Sequence, residues 1–472
     1  MRVSLSWIGA FALTSRLVSA IDLDLSSHDS IKQAASTIAY GMMEYYTGNE
    51  TGDVPGNLPD PYFWWEAGAM FGALVDYWYY TGDETYNNVT TQALLFQVGE
   101  DENYMPSNQS KTEGNDDQSF WGMAVMSAAE TKFPNPPEDE PQWLELAQAV
   151  FNTQAVRWDN ATCGGGLRWQ IFTFNNGYDY KNSISNGNFF NLAARLAVYT
   201  SNDTYAEWAD TMWDWTEFVG LMTSSYEFFD GTSVDDNCTS LNRIQWTYNA
   251  GTYLLGAANM YNYVRNLRLI EKDEADSLQT NGSSVWQQRV ENILNATDVF
   301  FSDDPVNVME EIACEPNGNC NTDQRSFKAY LSRWMAATTK VAPFTHDAIL
   351  TKLEASAQAA AQQCSGGSSG TACGLQWTQL SNYDGSTGVG EQMAALEVIQ
   401  SNLIDTVAGP VTNTTGGTSK GNSAAGTSSN TDETDPAAIT DKITTGDKAG
   451  AGIFTVFIVA NVVGAAWWMI HE

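Results

Sequence analysis

Apolar residues recur at helical spacing along most of the chain, and polar turns rich in Gly, Ser, Thr and Asn separate these stretches. The pattern predicts eleven helices, over Ile31–Tyr46, Tyr62–Tyr80, Gln118–Thr131, Trp143–Val156, Phe189–Tyr199, Thr204–Val219, Tyr248–Val264, Val285–Phe301, Arg325–Thr338, Ala348–Ala361 and Gly390–Ile404. Strand-like alternation is confined to Gly166–Phe174 and Ser225–Val234, where Asp230-Gly231 would form a hairpin turn. The chain is therefore predicted to be mainly α-helical.

A short segment occurs twice and indicates repeated helical hairpins. Tyr80–Tyr86 resembles Tyr199–Tyr205, and each time an aromatic-rich helix ends, a polar turn follows and another helix begins. Twelve or so helices in hairpins predict an all-α fold, an (α/α)6 toroid with a few short β-hairpins. The starts of the inner helices would then meet at one mouth, and the candidates for these starts are Trp64–Gly68, Asn115–Gln118, Asn186–Phe190 and Gln245–Gly251.

Both ends of the chain have the composition of processing segments. Residues 1–20 combine an early Arg, an apolar stretch and a small-residue cleavage site, which is typical of a secretory signal. Residues 452–470 are an uncharged run that could be a transmembrane anchor. The absence of a basic flank favours a GPI-attachment signal within 448–472 instead.

The composition between these ends predicts one large domain and a linker. Residues 408–447 are rich in Gly, Ser, Thr, Asn and Ala, which predicts a disordered stalk, and residues 21–407 form the expected domain. The chain has 22 Lys plus Arg against 57 Asp plus Glu and a net charge of -35, which argues against nucleic-acid binding. Secretion is favoured by nine N-glycosylation sequons, at Asn49, Asn88, Asn108, Asn160, Asn202, Asn237, Asn281, Asn295 and Asn413.

Cysteine and histidine usage narrows the chemistry. Six cysteines suggest disulfides, with Cys314 near Cys320 and Cys364 near Cys373 in sequence, which leaves Cys163 and Cys238. Only three histidines occur, so a Ser-His-Asp triad or a histidine-rich zinc site has little to draw on. No convincing phosphate-binding loop is present, and we expect no cofactor and no metal.

Carboxylates remain, and glycoside hydrolysis needs two of them. Asp116 and Asp117 are adjacent at a predicted helix start. Adjacent Asp side chains can hold their carboxyl groups ~5 Å apart, as a retaining mechanism requires, and two like charges this close should raise one pKa. Helix capping explains the same two acids equally well, because Asn115 and Gln118 resemble a capping box.

Aromatic and amide side chains near the predicted helix starts are candidates for sugar binding, because pyranose rings stack on aromatic faces. Most aromatic residues in such a fold are core, and Asn at a helix start is often a cap. Glu66 and Asp230 have ordinary alternatives too, as a first-turn acid and a turn residue. The candidate substrate-binding residues are Trp64, Trp65, Glu66, Trp121, Trp169, Asn186, Asn188, Asp230, Trp246, Tyr248 and Asn249.

The chain resembles the fungal GPI-anchored mannan endo-1,6-α-mannosidases of glycoside hydrolase family 76. The resemblance rests on Ile21–Asp24, Tyr62–Gly68, Asn115–Trp121, Cys163–Gln170 and Ser185–Asn188. It implies an (α/α)6 fold and retaining hydrolysis of α-1,6-linked mannose, with Asp116 as nucleophile and Asp117 as general acid/base.

Three functions follow from this resemblance as expectations. The first is endo-hydrolysis of α-1,6-mannan or of GPI-glycan cores in fungal cell-wall biogenesis. The second is transglycosylation, in which a wall-glucan hydroxyl replaces water and the surface protein is cross-linked to the wall. The third is a non-catalytic wall protein that only binds mannan. In each case the expected location is the cell surface, at the plasma membrane through a GPI anchor and in the cell wall.

Overall fold

The computed structural model describes residues 20–109, 111–270 and 283–427, with the side chains of 264–270 left out. The predicted signal, the proposed anchor segment, Asn281 and residues 428–447 lie outside the described residues. Within the described ranges no helix is both long enough and apolar enough to cross a membrane.

Twelve α-helices make up most of the described structure. Their bounds are α1 His28–Met43, α2 Trp64–Thr81, α3 Asn87–Phe96, α4 Asn115–Thr131, α5 Trp143–Ala155, α6 Ser183–Thr200, α7 Asp203–Val219, α8 Thr247–Ile270, α9 Ser284–Ala296, α10 Phe327–Val341, α11 His346–Gln363 and α12 Val389–Gln400. The eleven predicted helices are all present, with ends that differ by a few residues. The additional helix, α3, follows the first copy of the repeated turn, where the repeat predicts a helix start.

The even-numbered helices form a closed inner ring. In this ring α2 packs on α4, α4 on α6, α6 on α8, α8 on α10, α10 on α12, and α12 again on α2. The odd-numbered helices pack outside this ring, each against a neighbour in it. This is the predicted (α/α)6 toroid, and the prediction of an all-α fold class is confirmed.

Close packing inside the ring depends on small residues at helix contacts. A side-chain carbon added at Gly68 would lie 2.7 Å from the Trp121 ring, and one at Gly122 would lie 2.8 Å from Val150. Gly256 meets Phe190 in the same way, at 2.4 Å. Because glycine has no side chain, the helix backbones approach one another closely, and large side chains of the neighbouring helices fill the space beside each glycine.

Strands are few and short. β1 Tyr180–Asn182, β2 Gly231–Ser233 and β3 Leu241–Asn242 form an antiparallel sheet in the order β1-β2-β3, while β4 Phe301–Asp303 pairs with β5 Val306–Met309 and β6 Cys364–Gly366 pairs with β7 Ala372–Cys373. The predicted strand over 166–174 is absent, apart from one bridge between Gln170 and Gly114. The predicted hairpin turn at Asp230-Gly231 is also corrected, because Gly231 begins the central strand and pairs with both Asn182 and Asn242.

Three disulfides connect the loops, and they join the cysteines that the sequence analysis placed together. They are Cys163–Cys238, Cys314–Cys320 and Cys364–Cys373.

The first part of the predicted stalk lies against the domain. We call residues 408–427 the strap. The Val411 amide donates to Glu130 O at the end of α4, the Asn413 amide donates to Tyr199 O in α6, and Ser419 Oγ accepts from Leu144 N in the first turn of α5. Large apolar side chains are scarce here, so the contacts are made by backbone groups, by small polar side chains and by glycines. A side-chain carbon at Gly421 would lie 2.6 Å from Gln148 Oε1.

A polar cavity occupies the end of the ring where the inner helices finish. Its lining includes Asp76, Glu130, Arg195 and Arg333. Arg333 forms ion pairs with Asp76 at 2.9 Å and with Glu397 at 2.6 Å, and Arg195 pairs with Glu130 at 2.6 Å. These four charged side chains are therefore paired within the protein. The reactive groups described below lie at the other end.

Candidate active site

The first turns of the six inner helices meet at one end of the ring. Inner and outer helices alternate along the chain, so every inner helix runs in the same direction. The unpaired amides at the starts of these helices give that end a positive partial charge. We call it the mouth. The sequence analysis predicted that the starts of the inner helices meet at one mouth, and the structure agrees. The aspartate pair at the start of α4 lies at this mouth, beside the first turns of α2 and α6.

Asp116 and Asp117 are half-buried in the first turn of α4. Asp117 Oδ2 accepts a hydrogen bond from the Gly114 amide at 2.7 Å, so this side chain does cap the helix. Asp116 Oδ1 is buried without a hydrogen-bond partner among the described residues. It lies directly over Gly114, where an added side-chain carbon would come within 2.4 Å of it. One carboxyl group is thus held by the backbone, and the other has a free oxygen.

The two carboxyl groups have different electrostatic surroundings. Burial raises the pKa of Asp116 to about 7. Hydrogen bonds from the backbone amides of Asp116 and Asp117 and from the Ser185 side chain act in the opposite direction and lower this pKa. Burial also raises the pKa of Asp117 well above its usual value, and the charge on Asp116 raises it further. Because the backbone amides favour the charged form of Asp116 and the charge on Asp116 raises the pKa of Asp117, Asp116 loses its proton first as the pH rises and Asp117 keeps its proton to higher pH.

A glycine-rich loop fixes the start of α4. The Asn115 amide donates to Trp169 O at 2.8 Å, and Asn115 Nδ2 donates to Arg168 O at 2.8 Å. The backbone of Gly166 has φ +92°, and a side-chain carbon there would lie 2.3 Å from Trp215. Two of the segments that carry the family resemblance, Asn115–Trp121 and Cys163–Gln170, are therefore in direct contact, and the second positions the first.

Asn186 completes this support from α6. Its side-chain oxygen accepts from Leu167 N at 2.7 Å, and its side-chain nitrogen donates to Leu167 O at 3.0 Å. Since Asn186 is fully buried and bonded in this way, it holds the loop and offers no surface to a sugar. The prediction that Asn186 binds substrate is corrected accordingly.

A third carboxylate, Asp323, stands near the pair. It lies half-buried in a 3₁₀ turn just before α10 and is hydrogen-bonded to the Trp65 side chain. Its charge raises the pKa of both Asp116 and Asp117. Asp323 Oδ1 is buried and has no hydrogen-bond partner among the described residues. This oxygen is therefore an unpaired hydrogen-bond acceptor.

Glu66 and Glu391 extend the acidic side of the mouth below Asp323. Glu66 is fully buried, and neither of its oxygens has a hydrogen-bond partner in the described structure. Burial, followed by the charges of Asp323 and Glu391, raises its pKa well above the usual value, so the protonated form of Glu66 is favoured. Glu391 at the start of α12 is paired with Arg325 at 3.1 Å.

The loop that carries Asp323 rests on a buried polar network. Lys328 of α10 forms an ion pair with Glu315 at 2.8 Å, and both side chains are fully buried. Glu315 Oε1 in turn accepts from the Glu311 amide at 2.8 Å, and the Glu311 carboxylate accepts from the Thr247 amide at the start of α8. The starts of α8 and α10 are thereby tied together, which fixes one wall of the mouth.

Asp230 organises the neighbouring part of the same wall, next to the start of α8. Its carboxylate accepts hydrogen bonds from Tyr180 Oη at 2.6 Å, Trp246 Nε1 at 2.9 Å and Asn242 Nδ2 at 3.1 Å. Tyr248 stacks on Phe327 with ring centroids 3.8 Å apart, and Trp246 meets Phe327 edge-on. Burial raises the pKa of Tyr248, and the charges of Asp230 and Asp116 raise it further. Tyr248 therefore lies within electrostatic range of both Asp230 and Asp116.

The remaining predicted residues divide between the mouth and the core. Trp65 and Trp246 are nearly buried with only their edges exposed, whereas Trp169 is 37% exposed. Trp121 is fully buried between Trp64 and Tyr104, with ring centroids at 5.1 and 5.4 Å, so its predicted contact with substrate is corrected to a core role.

Two further predicted residues lie deeper in the ring. Asn188 is fully buried and accepts a hydrogen bond from Thr252 Oγ1 of α8 at 2.9 Å. Its predicted contact with substrate is therefore corrected, because Asn188 joins two helices in the core. Asn249 is 1% exposed, and both polar atoms of its side chain lack partners among the described residues.

Sequence reasoning missed Asp323, Glu391 and Ser185. All three lie in or just before the first turn of an inner helix. The rule that placed Asp116 at the mouth applies equally to them, because helices over 189–199, 325–338 and 390–404 were predicted. The sequence signal for these three residues was therefore present, namely a polar side chain at or just before the start of a predicted inner helix.

The comparisons with known proteins agree with this geometry. Residues 30–414 match glycosyl hydrolase family 76. Mannan endo-1,6-alpha-mannosidase DCW1 of Saccharomyces cerevisiae is 48% identical over 97% of this chain and 96% of its own length. DFG5 of the same yeast, which has the same enzyme name, is 45% identical over 96% of this chain and 94% of its own.

Solved structures show the same fold. Dfg5 from Chaetomium thermophilum, in complex with glucosamine, has a TM-score of 0.79 and 45% identity, and the match covers 86% of this chain and 98% of that one. An inactive variant of the α-1,6-mannanase GH76A of Salegentibacter sp. HEL1_6, with two aspartates replaced by alanine and in complex with α-1,6-mannotetrose, has a TM-score of 0.60, 17% identity and coverage of 79% and 99%. With its ring of helices and its paired aspartates, this chain belongs to glycosyl hydrolase family 76, which confirms the enzyme class predicted from the sequence.

Proposed function

We propose that the protein is an endo-acting, retaining glycosidase that cleaves α-1,6-linked mannose in mannan or in GPI-glycan cores during fungal cell-wall biogenesis. The observation that carries this proposal is the aspartate pair at the mouth. One member has a free oxygen and a charge supported by helix amides, and the other has a raised pKa and a proton. A retaining glycosidase needs these two states in two adjacent carboxyl groups.

The proposed first step forms a mannosyl-enzyme. Asp116 attacks the anomeric carbon, the bond from that carbon to the glycosidic oxygen breaks, and Asp117 gives its proton to the leaving oxygen. In the second step Asp117, now charged, takes a proton from water while the water oxygen attacks the anomeric carbon and Asp116 leaves. The two inversions retain the α configuration, and the proton returns to Asp117.

The choice of substrate rests on the relatives and on the lining of the mouth. The yeast relatives are named mannan endo-1,6-alpha-mannosidases, and the bacterial neighbour holds α-1,6-mannotetrose. The mouth offers what a neutral sugar chain needs, namely aromatic surface at Trp169 and Tyr248 and a free acceptor oxygen at Asp323. Glucosamine in the Dfg5 relative favours GPI glycans among the substrates, because an amino sugar suits an acidic site.

The test is turnover of a defined α-1,6-mannan oligosaccharide by purified protein. We expect Asp116→Asn and Asp117→Ala each to lower kcat at least about 1000-fold, since each removes one half of the chemistry. Alanine is chosen at position 117 because asparagine there would create an Asn-Gln-Ser sequon. The matched control is Asp235→Asn, which alters an exposed acid pair in the loop near Cys238 and should retain full activity.

Product analysis separates hydrolysis from the alternatives. With a glucan acceptor present, free mannose reducing ends indicate hydrolysis, and mixed mannose-glucan chains indicate transglycosylation. If Asp116→Asn and Asp117→Ala still complement loss of the protein in cells, the protein is a mannan-binding wall protein and the enzymatic proposal fails.

We also propose that the protein enters the secretory pathway and is held at the plasma membrane by a GPI anchor, from which it acts in the cell wall. The eight sequon asparagines within the described residues are all exposed, as glycan attachment requires. Release of the protein from cells by a phosphatidylinositol-specific phospholipase would support the anchor. Retention after that treatment, with the apolar tail still detected by mass spectrometry, would indicate a membrane-spanning segment instead.

A further inference from the structure

One sequon lies beside an aromatic groove on the outside of the ring. Asn160 begins the sequence Asn-Ala-Thr and is exposed in the loop that follows α5. The groove beside it is lined by Trp158, Glu207, Trp208 and Thr211 together with Asn160 itself. Trp158 belongs to the same loop, and Trp208 belongs to the outer helix α7. No residue of this groove takes part in the mouth.

The two tryptophans form a corner rather than a flat patch. Their ring centroids are 5.6 Å apart and their planes meet at 74°. Trp158 is backed by Trp215 at 6.1 Å and by Gly165, where a side-chain carbon would come within 2.3 Å of the Trp158 ring. Both groove tryptophans stay half-exposed. A rigid corner of this kind suits the apolar face of a pyranose ring.

The side chain of Asn160 is held so that its reactive atom is free. Trp158 Nε1 donates to Asn160 Oδ1 at 2.7 Å. Asn160 Nδ2, the atom to which an N-linked sugar is joined, has no partner among the described residues, whereas Nδ2 of the Asn413 sequon donates to Thr200 O. The bond to Trp158 thus turns Asn160 Nδ2 outward beside the groove.

The loop itself is anchored on its inner side. Asp159 pairs with Arg168 at 2.8 Å and with the fully buried Lys181 at 3.2 Å. Cys163 is joined to Cys238. Once the chain has folded, the loop has a defined shape whether or not the sugar packs against it, so little ordering entropy opposes the contact.

We propose that Asn160 carries an N-linked oligosaccharide whose first N-acetylglucosamine packs in the Trp158–Trp208 corner and stabilises this loop. The proposal rests on the secretory route proposed above. In the covalent step, Asn160 Nδ2 loses a proton and bonds to C1 of the sugar, and the pyrophosphate of a lipid-linked oligosaccharide donor leaves with the electron pair of the C1–O bond. Attachment precedes folding, and the folded groove then receives the sugar.

The test compares thermal unfolding of the full chain secreted from a eukaryotic host. We expect mass spectrometry to show Asn160 occupied, and Asn160→Gln to lower Tm by about 1–3 °C. The matched control is Asn295→Gln, which removes an exposed sequon of the outer helix α9 and should leave Tm unchanged. Trimming all glycans to one N-acetylglucosamine should preserve Tm, because only the first sugar reaches the groove.

A second variant separates sugar packing from other effects of Asn160. In a Trp208→Ala background, Asn160→Gln should cause no further loss of Tm, because the packing surface is already gone. An equal loss in both backgrounds would overturn the proposal, as would an unmodified Asn160 beside other occupied sequons. If no sequon is occupied, the secretory route fails as well, so the two failures can be told apart.

Discussion

At the level of single residues, the aspartate pair shows that capping and catalysis are compatible. The sequence offered them as alternatives, but Asp117 binds the Gly114 amide while it keeps a raised pKa. Capping fixes the side-chain rotamer, and burial with a neighbouring charge sets the protonation. The predicted capping pair of Asn115 and Gln118 was displaced by one position, because Gly114 and Asp117 occupy those roles.

The pH dependence of the reaction should respond to Asp323. Its charge raises the pKa of both Asp116 and Asp117, so Asp323→Asn removes that repulsion and lowers both values. The acid limb of kcat/KM reports ionisation of Asp116 and the alkaline limb reports loss of the proton from Asp117, so both limbs should move to lower pH. Asn can still accept from Trp65, which keeps the side chain in place.

Rate profiles of the wild type, Asp323→Asn and the exposed control Asp236→Asn would check this shift. A profile for Asp323→Asn that coincides with the wild type would show that the pair does not sense this carboxylate.

At the level of elements, the site depends on a loop that glycine alone can form. Gly164, Gly165 and Gly166 have φ values of +68°, +137° and +92°, and they lead the chain past Trp158 and Trp215 into the strand-like contact with α4. The loop has little regular structure, which explains why its weak alternation was misinterpreted as a strand. Its shape is set by hydrogen bonds to Asn186 and Asn115 instead.

Gly166→Ala should damage both stability and turnover. The new side chain combines an unfavourable positive φ with a carbon 2.3 Å from Trp215, so the loop must shift and carry Trp169 and Asn115 with it. We expect a loss of about 2 kcal/mol or more in the free energy of unfolding and a clear fall in kcat.

The control for Gly166→Ala is Gly52→Ala. Gly52 has φ +105° with nothing near the added carbon, so that variant has the backbone strain without the clash. Urea denaturation and mannan turnover measure the two effects. If the two variants are equally active, the loop does not position the aspartate pair.

At the level of the whole molecule, the ring is closed by packing between α12 and α2, and the strap then crosses the outer surface. The strap follows the ends of α4 and α6 and continues along α5, as far as the bond from Asn152 Nδ2 to Ala425 O at 2.8 Å. It therefore runs from the end of the ring opposite the mouth back toward the mouth side of α5.

Ser419→Ala should reduce stability although it lies in a low-complexity segment. Ser419 Oγ accepts from Leu144 N at 2.9 Å, and the N-cap residue of α5, Gln142, makes no side-chain cap bond. Loss of such a bond costs about 1 kcal/mol. The control is Ser423→Ala, whose side chain is exposed. Chemical denaturation should show a lower free energy of unfolding for Ser419→Ala alone. Equal values for the two variants would mean that the strap contributes nothing to α5.

The sequence by itself determined the helices, the fold class and the position of the aspartate pair, because these follow from local periodicity, turn residues and a short motif. Only the tertiary structure decided which aromatic and amide side chains face the mouth. Trp65 and Trp121 both lie in the first two turns of an inner helix, yet Trp121 is fully buried and Trp65 keeps 9% of its surface exposed, because burial depends on the partner helix that packs against each one. Asp323 and Glu391 reach the aspartate pair from distant parts of the chain, so their effect on its charge arises only when the ring closes.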